Sequence, residues 1–169
     1  MMRDMARRTS LRGRMVRGAV AGAFATWLMD LATTGFMASQ TPEEDAREKA
    51  AQPNGQPSVL NMIDTATGVV GLRLEGEVRA MAANVVHYGL GVVPGALYAA
   101  VRTYVPPLRA GRGLAYGLAL FVVNDEFLNT ALGFAGPPEA YPLSTHVRGL
   151  VGHAVLGVVT DATIDILGG

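Results

Sequence analysis

Four stretches of this 169-residue chain approach the length that a helix needs to cross a lipid bilayer, and this feature constrains the fold more than any other. A helical span requires about 20 predominantly apolar residues. The stretches cover residues 18–38, 80–101, 113–136 and 145–167. They predict an all-α integral membrane protein that folds as a four-helix bundle. For the third and fourth stretches, which polar residues interrupt, the alternative is a helical hairpin buried in a soluble bundle.

The composition of the chain favours the membrane interpretation. Hydrophobic residues make up 50% of the chain and charged residues 17%, whereas about 25% of an ordinary soluble domain is charged. The absence of cysteine excludes disulfides, thiolate metal sites, Cys-ligated iron–sulfur clusters and c-type haem attachment. The only lysine, Lys49, lies in a polar stretch, which excludes a Schiff base buried in the membrane.

The arginines predict how the chain is oriented. They precede the first stretch and fill the connection between the second and third, so the positive-inside rule places both termini and this connection in the cytoplasm. Residues 1–17 form a predicted basic cytoplasmic segment, and 18–169 a single transmembrane domain. A cleaved secretory signal is the alternative for the N-terminus, but Asp30 lies inside a 21-residue apolar run that is longer than such signals have. The arginines on the predicted inner side are Arg3, Arg7, Arg8, Arg12, Arg14, Arg17, Arg102, Arg109 and Arg112.

The first connection, residues 39–79, lies on the outer side in this orientation. Pro42 and the acidic residues after it predict the start of a short exposed helix. From Ser58 to Val70, apolar residues recur at helical spacing. This second segment predicts a short amphipathic helix that lies on the membrane surface or caps the bundle, or else packs on its own protein.

Two coincidences of spacing predict an internal repeat. The first and third stretches share two glycines four residues apart, followed eight residues later by Asp, and the second and fourth share the pattern H-x-x-L-G-V-V. We therefore expect two duplicated helical hairpins, related by an approximate two-fold axis along the membrane normal. Glycines four apart let helix backbones approach closely, and the alternative is that they leave room for a flat cofactor or lipid. The matching positions are Gly18, Gly22 and Asp30 with Gly113, Gly117 and Asp125, and His87 with His153.

Ionisable residues inside the predicted spans are the candidate site. At about 1.5 Å per residue, one such residue from each span lies in the outer half of the membrane, at a single depth. Such groups usually face the interior of a bundle or a water-filled cavity. His146 lies on the face of its helix that carries His153, whereas Glu126 points about 100° away from Asp125. The candidate residues are Asp30, His87, Asp125, Glu126, His146 and His153.

Four interpretations of this Asp/His cluster are open. Hydrogen bonds between Asp and His could tie the two hairpins together, in a purely structural role. The same groups suit a transition metal such as Zn, Mn, Fe or Ni, or a path for protons or cations. A b-type haem between His87 and His153 is the fourth interpretation, and the carboxylates at that level argue against it.

Several short motifs resemble the YagU-like family of small, multi-span bacterial inner-membrane proteins. They are His87-Tyr88-Gly89-Leu90-Gly91, the run that ends at Asn124-Asp125-Glu126, and Pro142-Leu143-Ser144-Thr145-His146 leading to Gly152-His153. The resemblance implies a multi-pass protein of the bacterial inner membrane. The family is largely uncharacterised, so it implies no catalytic residues.

The functional prediction follows from what the sequence contains and lacks. No nucleophile motif, phosphate loop or dinucleotide fingerprint occurs, so we expect no catalytic residues and no nucleic-acid partner. The predicted partners are the lipid bilayer and either a second copy of the chain or a larger membrane complex. The chain is predicted to be a non-enzymatic accessory subunit or oligomeric scaffold. The alternative is a proton- or metal-coupled transporter or a metal-binding membrane protein, with a haem b protein as a further possibility.

Overall fold

A computed structural model describes residues 10–169, and across this range the chain is helical and contains no strand. The third long helix, residues 114–131, changes its winding twice, and we refer to it as the composite helix. It begins as an α-helix, widens into a π-helix over Phe121–Leu128 and closes with one short α-helical turn. The α-helices are α1 (Leu11–Met37), α2 (Pro42–Ala51), α3 (Ser58–Gly68), α4 (Gly76–Val101), α5 (Leu114–Leu120), α6 (Asn129–Ala131) and α7 (Leu143–Ile166).

Local sequence determines where several of these helices begin. Ser10 caps α1 by accepting a hydrogen bond from the backbone N–H of Gly13. This start lies seven residues before the predicted span, so the described end of the basic N-terminal segment is helical; its residues 1–9 lie outside the described range. At α2, Thr41 and Glu44 form a reciprocal capping box around Pro42, as the predicted short helix requires.

Glycines bring the long helices into backbone contact in two pairs. Gly18 and Gly22 of α1 lie against Gly91 and Gly95 of α4, so closely that a Cβ at any of these positions would meet atoms of the facing helix. The composite helix packs on α7 in the same manner, through Gly117. These glycines therefore serve close packing of the helices, as the first of the two interpretations predicts.

The two helix pairs join mainly where α1 lies against α7. Ala21 and Ala25 of α1 are fully buried, and Gly152 of α7 contacts Met29 and Thr33 of α1. Near the end of α4 and the start of α5, the rings of Tyr98 and Tyr116 stack with their centroids 4.2 Å apart. The interior of the bundle thus contains small residues, this aromatic pair and a few large aliphatic side chains such as Leu156 and Ile164.

Many large apolar side chains lie on the outside of the bundle. Two of the four predicted spans, Gly76–Val101 and Leu143–Ile166, are helices long and apolar enough to cross a membrane. The four-span prediction holds only in part. Asp30 and its neighbouring threonines interrupt the apolar run of α1, and the polar triplet 124–126 interrupts that of the composite helix. Outward-facing residues include Val20, Phe24, Trp27, Leu31, Met81, Val85, Val93, Leu97, Val122, Val123, Phe127, Leu143, Val147 and Leu150.

The segment between α1 and α4 covers one end of the bundle. Here α3 packs on α4 and buries Ile63 and Asn61, whose amide donates to the carbonyl of Phe134. This amphipathic helix therefore packs on its own protein and caps the end of the bundle, as two of the predicted alternatives have it. The helix ends at Gly68, so Val69 and Val70 lie beyond it and are exposed.

Candidate functional site

The predicted Asp/His cluster separates into pairs. In the α1–α4 pair of helices, Asp30 Oδ1 lies 2.8 Å from His87 Nε2. In the other pair of helices, Asp125 Oδ2 lies 3.5 Å from His153 Nδ1. Each His–carboxylate contact joins the two helices of one hairpin. The structural interpretation predicted that these residues tie the two hairpins to each other. They connect the two helices within each hairpin instead.

Glu126 and His146 form a third pair, with Glu126 Oε1 2.7 Å from Nδ1 of the imidazole. The other ring nitrogen, Nε2, lies 3.0 Å from the backbone carbonyl of Pro138. A carbonyl only accepts hydrogen bonds, so Nε2 must carry a proton. The contact between Glu126 and Nδ1 then holds one further proton, which belongs to the carboxyl group or to the ring.

The π-helix helps to bring the carboxylates of Asp125 and Glu126 to one cavity. Adjacent residues of an α-helix point about 100° apart, so the sequence predicts that these two side chains diverge. The wider π turn rotates each residue by a smaller angle, and both carboxylates line the same cavity. Insertions of this kind occur frequently at functional sites. Nothing in the sequence signals the π turn apart from the polar triplet itself.

Two neighbouring cavities meet at Asp125. The outer vestibule, of about 300 Å³, lies between the composite helix, α7 and the α2 region, and Glu48, Glu126 and His146 line it. The inner cavity, of about 210 Å³, lies deeper and is lined by His87, His153 and Asn124. Residues common to both cavities are Met29, Ser58, Asp125 and Asn129.

An ion pair at the vestibule fixes α2 to the bundle. Glu48 Oε1 lies 2.6 Å from a guanidinium nitrogen of Arg148, and Gln40 and Thr145 also donate to this carboxylate. Burial acts to raise the pKa of Glu48, but these hydrogen bonds outweigh it and hold the pKa below its usual range. The sequence does not single out Glu48, because this residue belongs to a connection that was predicted to be exposed.

A separate polar cluster joins the hairpins at the opposite end of the bundle. Asp161 of α7 accepts a 2.7 Å hydrogen bond from the hydroxyl of Tyr98 and forms a 2.5 Å ion pair with Arg102. Asp165 and Arg109 complete the cluster, with Asp165 2.6 Å from Arg102. The four charged residues of this cluster line a basic-end cavity of about 780 Å³. The spacing of Asp161 and Asp165, four apart on α7, is the signal that could have identified them.

Geometry for a metal centre is absent from the described residues. Within 10–169, no group of three or more His, Asp and Glu side chains is placed to hold a metal ion. The six candidate residues supply three separate His–carboxylate pairs rather than the shared coordination sphere that the sequence suggested.

Comparison of the chain with family models, curated proteins and solved structures finds no match. The YagU-like resemblance therefore stays a prediction, and function must be inferred from the geometry of the chain itself.

Proposed function

We propose that the chain is a small integral membrane protein that moves protons through its helical bundle. The observation that carries this proposal is the position of Asp125, where the outer vestibule meets an inner cavity lined by two histidines. Water in the vestibule would deliver protons to Asp125, and His153 lies beside this carboxylate.

The distribution of apolar side chains supports the membrane part of the proposal. Small residues fill the helix contacts, while Phe24, Trp27, Val85 and Val123 lie outside, each with at least 45% of its surface exposed. Exposed apolar surface on this scale marks contact with lipid or with another protein. Six of the ten described arginines lie at the end of the bundle opposite α2 and α3, and Arg47, Arg79 and Arg148 lie at the α2–α3 end. This excess fits the predicted cytoplasmic side of a bacterial inner membrane. The six are Arg12, Arg14, Arg17, Arg102, Arg109 and Arg112.

The chemistry of the pairs favours protons over metal ions. The backbone carbonyl of Gly149 lies 3.1 Å from His153 Nδ1, so this nitrogen carries a hydrogen and Nε2 is left to take up a proton. Imidazole is the side chain whose ordinary pKa lies closest to neutral pH. A transition metal would require more ligands than any one pair supplies.

A second proposal, an accessory subunit or oligomeric scaffold, has one observation in its favour. Phe24 and Trp27 stack with centroids 5.9 Å apart on the outer face of α1. Aromatic side chains are enriched at protein interfaces. A native mass of the detergent-purified chain decides this proposal: oligomers that Trp27→Ala dissociates would support it, and a monomer would contradict it.

Proton flux into proteoliposomes tests the main proposal. The purified chain is reconstituted with a trapped pH-sensitive dye, and a potassium diffusion potential drives protons inward. We expect Asp125→Asn and His153→Gln each to lower the flux about 100-fold, because each removes a group that takes up and releases protons. Asp64→Asn is the matched control, since Asp64 pairs with Arg79 outside both cavities. No flux from the unmodified chain, or equal flux from all variants, would contradict the proposal.

A further inference from the structure

The basic-end cavity has a charged wall and an apolar wall. Three arginines and two aspartates form the charged wall, and one face of α7 supplies the apolar wall. The apolar residues of α7, which are Val158, Ala162 and Ile166, recur every four residues and so form a continuous stripe. Eight residues of α-helix span about 12 Å. The stripe therefore runs by this length from the end of α7 toward the middle of the bundle.

Two of the three arginines in this cavity are already neutralised. Arg102 forms ion pairs with both Asp161 and Asp165, and so does Arg109. The side chain of Arg112, in contrast, makes no hydrogen bond or ion pair with any residue of the described range. One positive charge of the cavity is therefore available to an anion from outside the chain.

The backbone of Arg112 adopts a conformation that suits glycine better than arginine. Its φ is 55°, in the left-handed region, and the residue stands between Gly111 and Gly113, whose φ values are also positive. A residue with a Cβ is strained in this region, whereas a third glycine would not be. Strained positions of this kind cluster at functional sites. The turn thus holds a guanidinium at the cavity at a conformational cost, and no contact within the described chain offsets this cost.

A fourth arginine lies directly beside the cavity. Thr103 lines the cavity, and its Oγ1 accepts a 3.3 Å hydrogen bond from Arg14. The guanidinium of Arg14 also donates to the hydroxyl of Tyr104, 3.3 Å away, and lies 5.3 Å from the centre of that ring. These partners are uncharged. Arg14 therefore adds a second positive charge that no carboxylate of residues 10–169 neutralises.

We propose that the basic-end cavity binds the phosphate group of an anionic phospholipid, with an acyl chain of this lipid along the apolar stripe of α7. Guanidinium groups bind phosphate oxygens through two parallel N–H donors, and this geometry makes arginine common in phosphate sites. Basic pockets between membrane helices on the cytoplasmic side bind anionic lipid headgroups. The inference rests on the membrane part of the proposed function and is independent of proton transfer.

The apolar stripe favours a lipid over free phosphate. The phosphate of a lipid lies at the level of the helix ends, where Arg112 is located, and its acyl chains extend toward the middle of the bilayer. The stripe runs in the same direction, from Ile166 to Val158, and these two side chains are 83% and 38% exposed. Free phosphate would make no use of this wall.

Lipid binding to the purified full chain in detergent tests the site. Native mass spectrometry compares phosphatidylglycerol with phosphatidylcholine of the same acyl chains, so that only the headgroup differs. We expect one phosphatidylglycerol to bind each chain about tenfold more tightly than phosphatidylcholine, and Arg112→Gln to remove most of this difference, because a charged hydrogen-bond donor is lost. Arg73→Gln is the matched control, since it removes the same charge from an exposed turn at the α2–α3 end and should leave binding unchanged.

Arg112→Gly separates binding from folding. Glycine adopts the left-handed conformation without strain, so this variant should unfold at the same or a higher temperature in lipid-free detergent. It should nevertheless lose the preference for phosphatidylglycerol, as Arg112→Gln does. A lower unfolding temperature, with binding lost in proportion to folded protein, would show that Arg112 is structural and would overturn the site.

The remaining outcomes separate the site from the alternatives. Equal binding of the two lipids, or an unchanged preference in both Arg112 variants, overturns the site. Displacement of phosphatidylglycerol by inorganic phosphate would show that the cavity takes free phosphate, and an equal loss in Arg73→Gln would show attraction to net charge alone; each of these results also overturns the proposal. A chain that stays in solution without detergent overturns the membrane part of the proposed function as well, whereas a failure of headgroup selectivity in a chain that inserts into vesicles overturns the site alone.

Discussion

Arg102 and Asp161 form the most enclosed ion pair of the described chain, since the side chain of each is only 2% exposed. Such a pair is costly to bury, but removal of one member leaves the other charged and without compensation. The pair joins α4 to α7 and so links the two hairpins, a role that the sequence assigned to the Asp/His cluster. At the scale of residues, the ionic links between the hairpins therefore lie at the basic end of the bundle.

Arg102→Met should destabilise the fold by about 3 kcal/mol, near the lower end for a broken buried pair, because Arg109 still contacts Asp161. The free energy of unfolding, measured in detergent by circular dichroism, checks this value. Arg47→Met is the control, because Arg47 donates only to exposed backbone carbonyls of Glu139 and Ala140. Equal losses for the two variants would contradict a special role for Arg102.

The sequence could predict which residues carry the chemistry but not how they pair. Asp30, His87, Asp125 and His153 stand out because ionisable groups are rare in apolar stretches. The sequence predicts that they converge on one site only from their depth in the membrane. Depth does not determine the direction in which a side chain points. The result is two His–carboxylate contacts, one within each hairpin. Three of the four residues line the inner cavity, and Asp30 does not.

Close glycine contacts determine how the helices pair. Gly91 lies where α4 crosses α1, and a Cβ there would meet the hydroxyl of Thr26 and the carbonyl of Gly22. Gly89, two residues earlier on the same helix, has no atom within 4 Å of such a Cβ. At the scale of elements, the position of a glycine on its helix therefore decides whether it matters for packing.

Gly91→Ala should cost about 1–3 kcal/mol of unfolding free energy, because the added methyl group forces α1 and α4 apart. Gly89→Ala should be neutral, or stabilising by up to about 1 kcal/mol, since alanine favours helix more than glycine does. Thermal unfolding of both variants in the same detergent provides the comparison. A loss in Gly89→Ala as large as that in Gly91→Ala would show that the α1–α4 contact is not the cause.

Helix positions were predictable because apolar length and glycine spacing are direct signals. The predicted spans 18–38, 80–101, 113–136 and 145–167 correspond to α1, α4, the composite helix and α7, with the third ending five residues early. The π turn was not predictable, because no local residue preference marks it in the sequence. The internal repeat stays a prediction.

The whole molecule combines an apolar exterior with polar cavities that enter the bundle from its two ends. Val123 lies on the exterior with 50% of its surface exposed, whereas two residues later Asp125 lines both cavities. Loop residues such as Pro138 and Tyr141 line the vestibule at the α2–α3 end, and arginines line the cavity at the other. This arrangement suits a bundle that lies in lipid and admits water from its outer side.

Cysteine accessibility in intact cells is the measurement that tests this arrangement most directly. The chain has no cysteine, so one introduced thiol is the only one present. A small, charged methanethiosulfonate that does not cross membranes is added outside to single variants. Ser58→Cys lies in both cavities, Val123→Cys on the apolar exterior, and Thr103→Cys at the basic end.

We expect Ser58→Cys to react at once, Val123→Cys to stay unmodified in lipid, and Thr103→Cys to react only after the membrane is permeabilised. Rapid reaction of Val123→Cys would show that the exterior faces water, and reaction of Thr103→Cys in intact cells while Ser58→Cys is protected would reverse the orientation. Either result would contradict a membrane bundle that opens outward through the vestibule.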